Sequence, residues 1–390
     1  MRSIKIVVGL LFGDEGKGMT VNSLCNDPNN EMVIRINGGH QCGHTVVTDK
    51  IRHIFSNFGS GTLKGVPTYW TEYCTVDPVA VIKEGQILIG QGITPKIIYN
   101  ANAMVTTPFD IIQNINGDLK KGHGTVGVGF GATIQRNEAH YRLNVRDLHF
   151  SKIRDEKLKN ILNYYHYVTP LNAISQKYYD NFIESCDKFI KMYGFVENFA
   201  QLHTRDKKLI FEGGQGIMLD QDYGFFPNVT RSYTTSRNAM EFIVNNLDSS
   251  DVETYYVTRA YQTRHGNGYM TNADLPTSYI KINPNETNVD TGYQGVFRRS
   301  VLDLDLLKYA LSCDKYYNSD WSPKKLVITC CDQVDEKKNK SDEYQIPLTK
   351  ENKTLCLTPK EIGEELNVFK TIPCDSEKGY KNSSRKSTKN

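Results

Sequence analysis

One local pattern near the amino terminus restricts the fold more than any other feature. Ile4-Lys5-Ile6-Val7-Val8 is a short apolar run with one charge, and it leads through Gly9 and Phe12 into the loop Gly13-Asp14-Glu15-Gly16-Lys17-Gly18. The segment that follows, Met19 to Cys25, has apolar spacing compatible with a helix. Strand, glycine loop and helix in this order read as the start of an α/β unit whose first strand is buried. A second strand, Met32 to Ile36, runs into another glycine loop, Asn37-Gly38-Gly39-His40-Gln41-Cys42-Gly43-His44-Thr45. Ligands of open α/β sheets gather beyond the carboxyl ends of the strands, a position in which two such loops can share a pocket.

Further strands are expected at Ile87-Leu88-Ile89, Leu209-Ile210-Phe211, Thr254 to Val257 and Leu326 to Thr329, with helices around 152–165, 174–193, 236–246 and 302–312. This alternation predicts an α/β fold, one large domain around a mainly parallel central sheet, P-loop-like and carrying helical and loop insertions. No repeat or Pro/Ser-rich linker divides the chain, so residues 1–375 are read as one domain and 376–390 as a polar, basic, disordered tail. Residues 117–137 read as a glycine-rich insertion without apolar periodicity, and 335–355 as a solvated hairpin or excursion.

Composition mainly excludes. No run of about 18 apolar residues offers a membrane span, and the first residues lack a signal-peptide cleavage site, so a cytoplasmic protein is expected. The nine cysteines contain no C-x-x-C pair and read as buried free thiols. A net charge of +3, from 47 Lys+Arg against 44 Asp+Glu, argues against a nucleic-acid partner and makes any phosphate binding local.

The first loop has the ingredients of a phosphate cradle: glycines that let backbone N–H groups approach, Lys17, and a following helix N-terminus. It lacks Walker A spacing. Asp14 and Glu15 lie inside the cradle, where negative charge repels phosphate unless it holds a metal or takes a proton. In the second loop His40 and His44 stand four apart, but the glycines around them disfavour the helix that a zinc pair needs. Either histidine serves as a loop acid/base aimed at the pocket of Asp14 or hydrogen-bonds its own loop.

Gly13 to Gly18 after the first strand and Asn37 to Thr45 after the next resemble the adenylosuccinate synthetase family. The similarity continues through Phe211-Glu212-Gly213-Gly214-Gln215-Gly216, Leu219 to Gly224 and Pro227-Asn228-Val229-Thr230, and it spans residue 4 to about 335. The resemblance implies a ligase that phosphorylates the 6-oxo group of IMP and displaces the phosphate with L-aspartate, using GTP and Mg²⁺. It implies Asp14 as base and metal ligand, His44 as the group that stabilises the 6-oxygen and acts as acid, and the Gly43 carbonyl as second metal ligand. The triphosphate is expected on Gly13, Asp14, Glu15, Gly16, Lys17, Gly18, Gly43, His44 and Thr45, and the nucleotide substrate on Gln41, Thr125, Gln215 and Thr230. The resemblance also implies a homodimer in which an arginine crosses to the partner's nucleotide phosphate, either Arg136 or Arg142.

Several positions depart from the family pattern. Gln41 replaces an asparagine, and Val126 replaces the second threonine of a phosphate loop. The aspartate-binding loop becomes Asp290 to Arg299, with Arg298 the expected carboxylate partner and Gly295 at a ribose-contacting arginine position. The guanine-reading motif becomes Thr329-Cys330-Cys331-Asp332, where Asp332 keeps the acceptor but the lysine is lost. The S-T-G-P segment has only Thr371 to Asp375 as a counterpart. These departures leave ATP open as donor and dGMP open as substrate, the latter as in phage-type relatives. Those relatives replace the catalytic aspartate by a small residue, and retention of Asp14 favours IMP.

Overall fold

Alternate residues of the first strand, Arg2–Gly9, are buried on opposite faces, and the molecule is built outward from it. Residues 2–121, 125–168, 176–202, 204, 207–247, 250–286, 295–315, 323–334 and 343–376 are described by a computed structural model. Arg2–Gly9 pairs in parallel with Lys208–Glu212 on one side and Ser250–Arg259 on the other. Extension in both directions gives a nine-stranded sheet. Its order is Lys370–Pro373, Lys324–Thr329, Ser250–Arg259, Arg2–Gly9, Lys208–Glu212, Glu31–Arg35, Thr68–Trp70, Ile97–Asn100 and Gly194–Val196, every pair parallel. The expectation of an α/β fold around a mainly parallel sheet is met.

Ile4, Ile6 and Val8 pack with Phe211, Tyr256 and Ile328 against helices Arg237–Asn246 and Leu304–Cys313. Val7, Val33, Ile210 and Val257 face the other way, onto Val21 and Leu24 of helix Lys17–Leu24. Each such side chain, fully buried, contributes about 1.5–3 kcal/mol. A third cluster joins Trp70 and Tyr99 to helices Pro78–Gly90, Ser151–Val168 and Gln176–Met192. Among the described residues no helix is long and apolar enough to cross a membrane. Eight of the nine cysteines are buried free thiols and Cys356 is exposed.

Two sequence expectations are corrected, and a third, the hairpin within 335–355, is found but packs into the core. Ile87-Leu88-Ile89 is not a strand but the end of helix Pro78–Gly90, which Asp77 caps by accepting from the Val79 and Ala80 N–H groups. Leu88 faces the core together with Val81, Glu84 and Gly85, a spacing of three and four that is helical, while Ile87 and Ile89 are exposed. The 117–137 stretch is largely helical where described, in Pro108–Lys121 and Phe130–Glu138, the latter starting at Gly129 with φ 81°. Within 335–355, residues 335–342 lie outside the described residues; the rest begins the antiparallel hairpin Ile346–Lys350 and Lys353–Leu357, which buries Ile346 and Leu348. Of the expected tail, 377–390 lie outside the described residues and Ser376 is anchored to Asp332.

Candidate active site

The loops at the carboxyl ends of the central strands converge. Gly13, Asp14 and Gly16 all have positive φ, at 84°, 56° and 91°, which coils the loop before helix Lys17–Leu24 into a nest of N–H groups. Gly16 is required twice over, since a Cβ there would also lie 2.8 Å from Thr329 Cγ2. Asp14 holds a left-handed conformation without being glycine, which costs about 1–2 kcal/mol.

The two adjacent carboxyls of this loop have opposite environments. Glu15 turns inward, 2% exposed, with Oε1 accepting the Leu11 N–H at 2.7 Å. Burial pushes it up to about 7. Asp14 faces the cavities, with Oδ2 3.4 Å from His265 Nε2, and its backbone carbonyl accepts from Arg259 Nε. Burial would raise Asp14 too, but the hydrogen bond and charge of His265, with Arg259 and Lys17, hold it below the usual carboxylate range.

His44 opens strand His44–Val47, and its Nδ1 lies 2.5 Å from Oε1 of Glu212 at the end of Lys208–Glu212. Glu212 is held ionised, down to about 2: burial opposes this, but His44, Arg35 and Ser60 outweigh it. Burial draws His44 itself down to about 4 against the pull of Glu212. The ring is therefore neutral near pH 7, donating from Nδ1 and presenting Nε2, which has no partner among the described residues. His40 instead accepts from Asn57 Nδ2 at 3.0 Å.

Two cavities meet at Asp14, Lys17, Gln41, Gly43 and His44. One, of about 360 Å³, runs from Gly16, Gly18 and Thr45 to Cys330, Cys374 and Ser376. The other, of about 830 Å³, is lined by Gly13, Thr125, Gln215, Thr230, Arg231 and Arg264. Both are of nucleotide size. The amide atoms of Gln41 and the Gln215 Oε1 are buried without partners among the described residues.

Three expected site residues lie elsewhere. Asp332 lines neither cavity, because Ser376 donates its N–H to Oδ1 at 2.7 Å and its hydroxyl to Oδ2 at 2.6 Å. Arg298 also lines neither; it donates to the Gly268 carbonyl and stands across an antiparallel pair from Arg264, the arginine that does reach the cavity. The 290–294 part of that loop lies outside the described residues. Arg136 is fully buried on Asp110 and cannot reach a second subunit, whereas Arg142 is exposed.

Glu212, His265, Arg259, Arg264 and Ser376 went unrecognised as site residues in the sequence. Glu212 had a signal, an acid ending an apolar strand just before a glycine loop. His265 had none.

A parallel sheet whose strand ends hold two nucleotide-sized cavities, with an ionised carboxylate, an imidazole and a lysine where they join, defines an enzyme that brings two nucleotides together. The family model for adenylosuccinate synthetase matches residues 6–346, and the chain belongs to that family, whose members are carbon–nitrogen ligases with a nucleoside triphosphate donor. Adenylosuccinate synthetase of Blochmanniella pennsylvanica is 29% identical over 333 residues, covering 81% of this chain and 75% of the relative. That of Thermoplasma acidophilum is 30% identical, covering 79% and 72%. The fold matches fully ligated adenylosuccinate synthetase of Plasmodium falciparum with a TM-score of 0.72 at 16% identity, over 95% of this chain and 96% of the other. It also matches cyanophage S-2L succinoaminodeoxyadenylate synthetase, solved with dGMP and with dATP as energy donor, with a TM-score of 0.61 at 12% identity over 96% and 92%.

Proposed function

We propose that this ligase acts on IMP and L-aspartate, with GTP as the first donor, to form adenylosuccinate in the cytoplasm. One observation carries the reading: Asp14, Lys17 and His44 line both cavities at their junction, where a γ-phosphoryl group and a purine 6-oxygen would meet. Asp14, kept ionised, removes the ring N1 proton, and the electron pair moves to the 6-oxygen, which attacks the γ-phosphorus as its bond to the bridging oxygen breaks and the nucleoside diphosphate leaves. Lys17 and the nest of N–H groups neutralise the migrating phosphoryl charge. His44 begins neutral; bound phosphate favours its protonation, and the imidazolium backed by Glu212 then supports the departing phosphate as the aspartate amine attacks carbon 6.

A magnesium ion fits the hard oxygen donors on offer, the Asp14 carboxylate and the Gly43 carbonyl, and would neutralise phosphate charge there. Thr125, Gln215 and Thr230 hold the IMP end. For aspartate we assign Arg264 with Arg298 behind it: burial and the second guanidinium draw Arg264 down to about 10, and the two donate to the backbone carbonyls of Tyr269, Asn228 and Gly268 rather than to a carboxylate, an arrangement an anion relieves. A homodimer is proposed with Arg142 as the crossing arginine, and no membrane or nucleic-acid partner.

A second donor is favoured by a specific contact. Guanine offers N1–H and N2–H to a two-oxygen acceptor, and both oxygens of Asp332 are engaged by Ser376. ATP therefore competes with GTP. The test is one matrix, IMP or dGMP with GTP or ATP, plus aspartate and Mg²⁺, scored for succinylated product. Product from dGMP but not IMP overturns the substrate; no product in any well overturns the function.

A further inference from the structure

Glu212 is a buried charge that the chemistry above uses only to back the His44 imidazolium. It ends the central strand Lys208–Glu212, is 0% exposed, and stands in register beside Arg35 of Glu31–Arg35, which is also 0% exposed. Removing such a pair from water costs several kcal/mol per ion, so packing alone would favour apolar residues here. What the charge does is visible in its three hydrogen bonds. Oε1 takes the His44 Nδ1 proton at 2.5 Å and the Ser60 hydroxyl, and Oε2 takes the Ser60 N–H at 3.0 Å.

From this geometry we infer that Glu212 is the positioning residue of His44, and that Ser60 holds Glu212 in place. The inference rests on the proposed role of His44. Because the carboxylate accepts only, it fixes the proton on Nδ1 and leaves Nε2 buried and without a partner among the described residues, on a ring that lines both cavities. The root of His44 is packed against the first loop: a Cβ on Gly18 would lie 2.9 Å from His44 Cβ. Ser60 acts through the carboxylate and lines neither cavity.

Glu212→Gln separates orientation from bulk. The Ser60 N–H requires an acceptor and takes the amide oxygen at the Oε2 position, so the NH₂ group faces His44 Nδ1. His44 must then accept at Nδ1, its proton moves to Nε2, and an imidazolium there would place N–H against N–H. A triad whose carboxylate becomes an amide loses about 10⁴-fold in kcat by this route; here, with the nest and Lys17 intact, a loss of about 10²–10³-fold is expected. KM for IMP and for the triphosphate should stay within about threefold. Ser60→Ala keeps the backbone donor and should lower kcat by about tenfold, the weak end of one hydrogen bond to a charged acceptor.

The experiment pairs these kinetics with ¹⁵N NMR of the histidine rings in the full chain, His44 being assigned by comparison with His44→Asn. The parent should show the Nδ1–H tautomer and Glu212→Gln the Nε2–H tautomer. An Nε2–H tautomer in the parent overturns the inference even if Glu212→Gln fails to fold. A folded Glu212→Gln with kcat within about threefold of the parent overturns it as well. An inactive parent with the Nδ1–H tautomer overturns the proposed function instead and upholds the positioning.

Discussion

Replacing Arg136 should damage stability and leave nucleotide binding alone. Its Nε and Nη2 hold the two oxygens of Asp110 at 2.8 and 3.0 Å, Nη2 also reaches the Val105 carbonyl at 2.8 Å, and Nη1 reaches the Tyr141 carbonyl. Arg136→Ala leaves a buried carboxylate with Tyr165 and Thr107 as remaining donors, and two carbonyls without their guanidinium. Breaking one side of a buried ion pair costs about 3–5 kcal/mol. With an unfolding entropy of about 2.1 cal/mol/K per residue, 390 residues give about 0.8 kcal/mol/K, so a loss of 4 kcal/mol lowers Tm by about 5 °C. The assay is thermal unfolding beside IMP kinetics, with Arg142→Ala as the contrast. Arg142→Ala should shift Tm by less than about 1 °C and raise the KM for IMP about tenfold, the worth of one phosphate contact of about 1.4 kcal/mol. An Arg136→Ala protein with unchanged Tm and a raised KM would refute the reasoning and return Arg136 to the nucleotide.

Asp14→Ala should abolish turnover while equilibrium binding of the triphosphate survives, measured by calorimetry; near-normal turnover removes Asp14 from its role. Gly16→Ala, at φ 91° and facing Thr329 Cγ2 at 2.8 Å, should cost about 2–4 kcal/mol, read as a lowered urea midpoint; an unchanged midpoint contradicts the need for glycine. Glu15→Gln should stabilise the protein at pH 8 but not at pH 4. The folded value, about 7, lies above the 4.5 of a free glutamate, so the cost of burying its charge is absent below 4.5, grows as pH rises, and is complete above 7 at about 3 kcal/mol. Equal shifts in Tm at both pH values would disprove it.

Five of the nine sheet strands were legible because they are short apolar runs, three of them leading into glycine loops; Thr68–Trp70, Ile97–Asn100, Gly194–Val196 and Lys370–Pro373, toward the two edges, lack that pattern and went unread. Ile87-Leu88-Ile89 misled for the same reason: three apolar residues do not distinguish strand from helix, and the deciding signal, Asp77-Pro78, lies ten residues earlier. At the site, the loop residues could be read because close approach to phosphate demands glycine. Residues that act through a neighbour could not. Glu212 and His265 touch His44 and Asp14 only after the chain has folded, from strands about 170 and 250 positions away, and spacing carries no trace of that. Arg136 stood beside Arg142 as a candidate to cross to a partner because nothing local marks Asp110 as its own partner. Arg298 could be anchored by number, but which arginine of the pair faces the cavity depends on strand register.

The two adjacent carboxyls remain the most informative feature of the first loop, since a phosphate cradle should exclude negative charge. Their environments divide the problem. Glu15 is driven by burial toward its neutral form, so it serves as an internal acceptor for the Leu11 N–H and adds less charge at neutral pH. Asp14 is more open, at the cavities, and the hydrogen bond and charge of His265, with Arg259 and Lys17, hold it ionised. Two titratable groups pushed in opposite directions by their surroundings are how one loop keeps a base at neutral pH beside an anion site. The cradle thus carries between one and two negative charges at neutral pH rather than a full two. That charge lies at the junction of the cavities, where the proton to be removed and the phosphoryl group to be moved would both come within its reach.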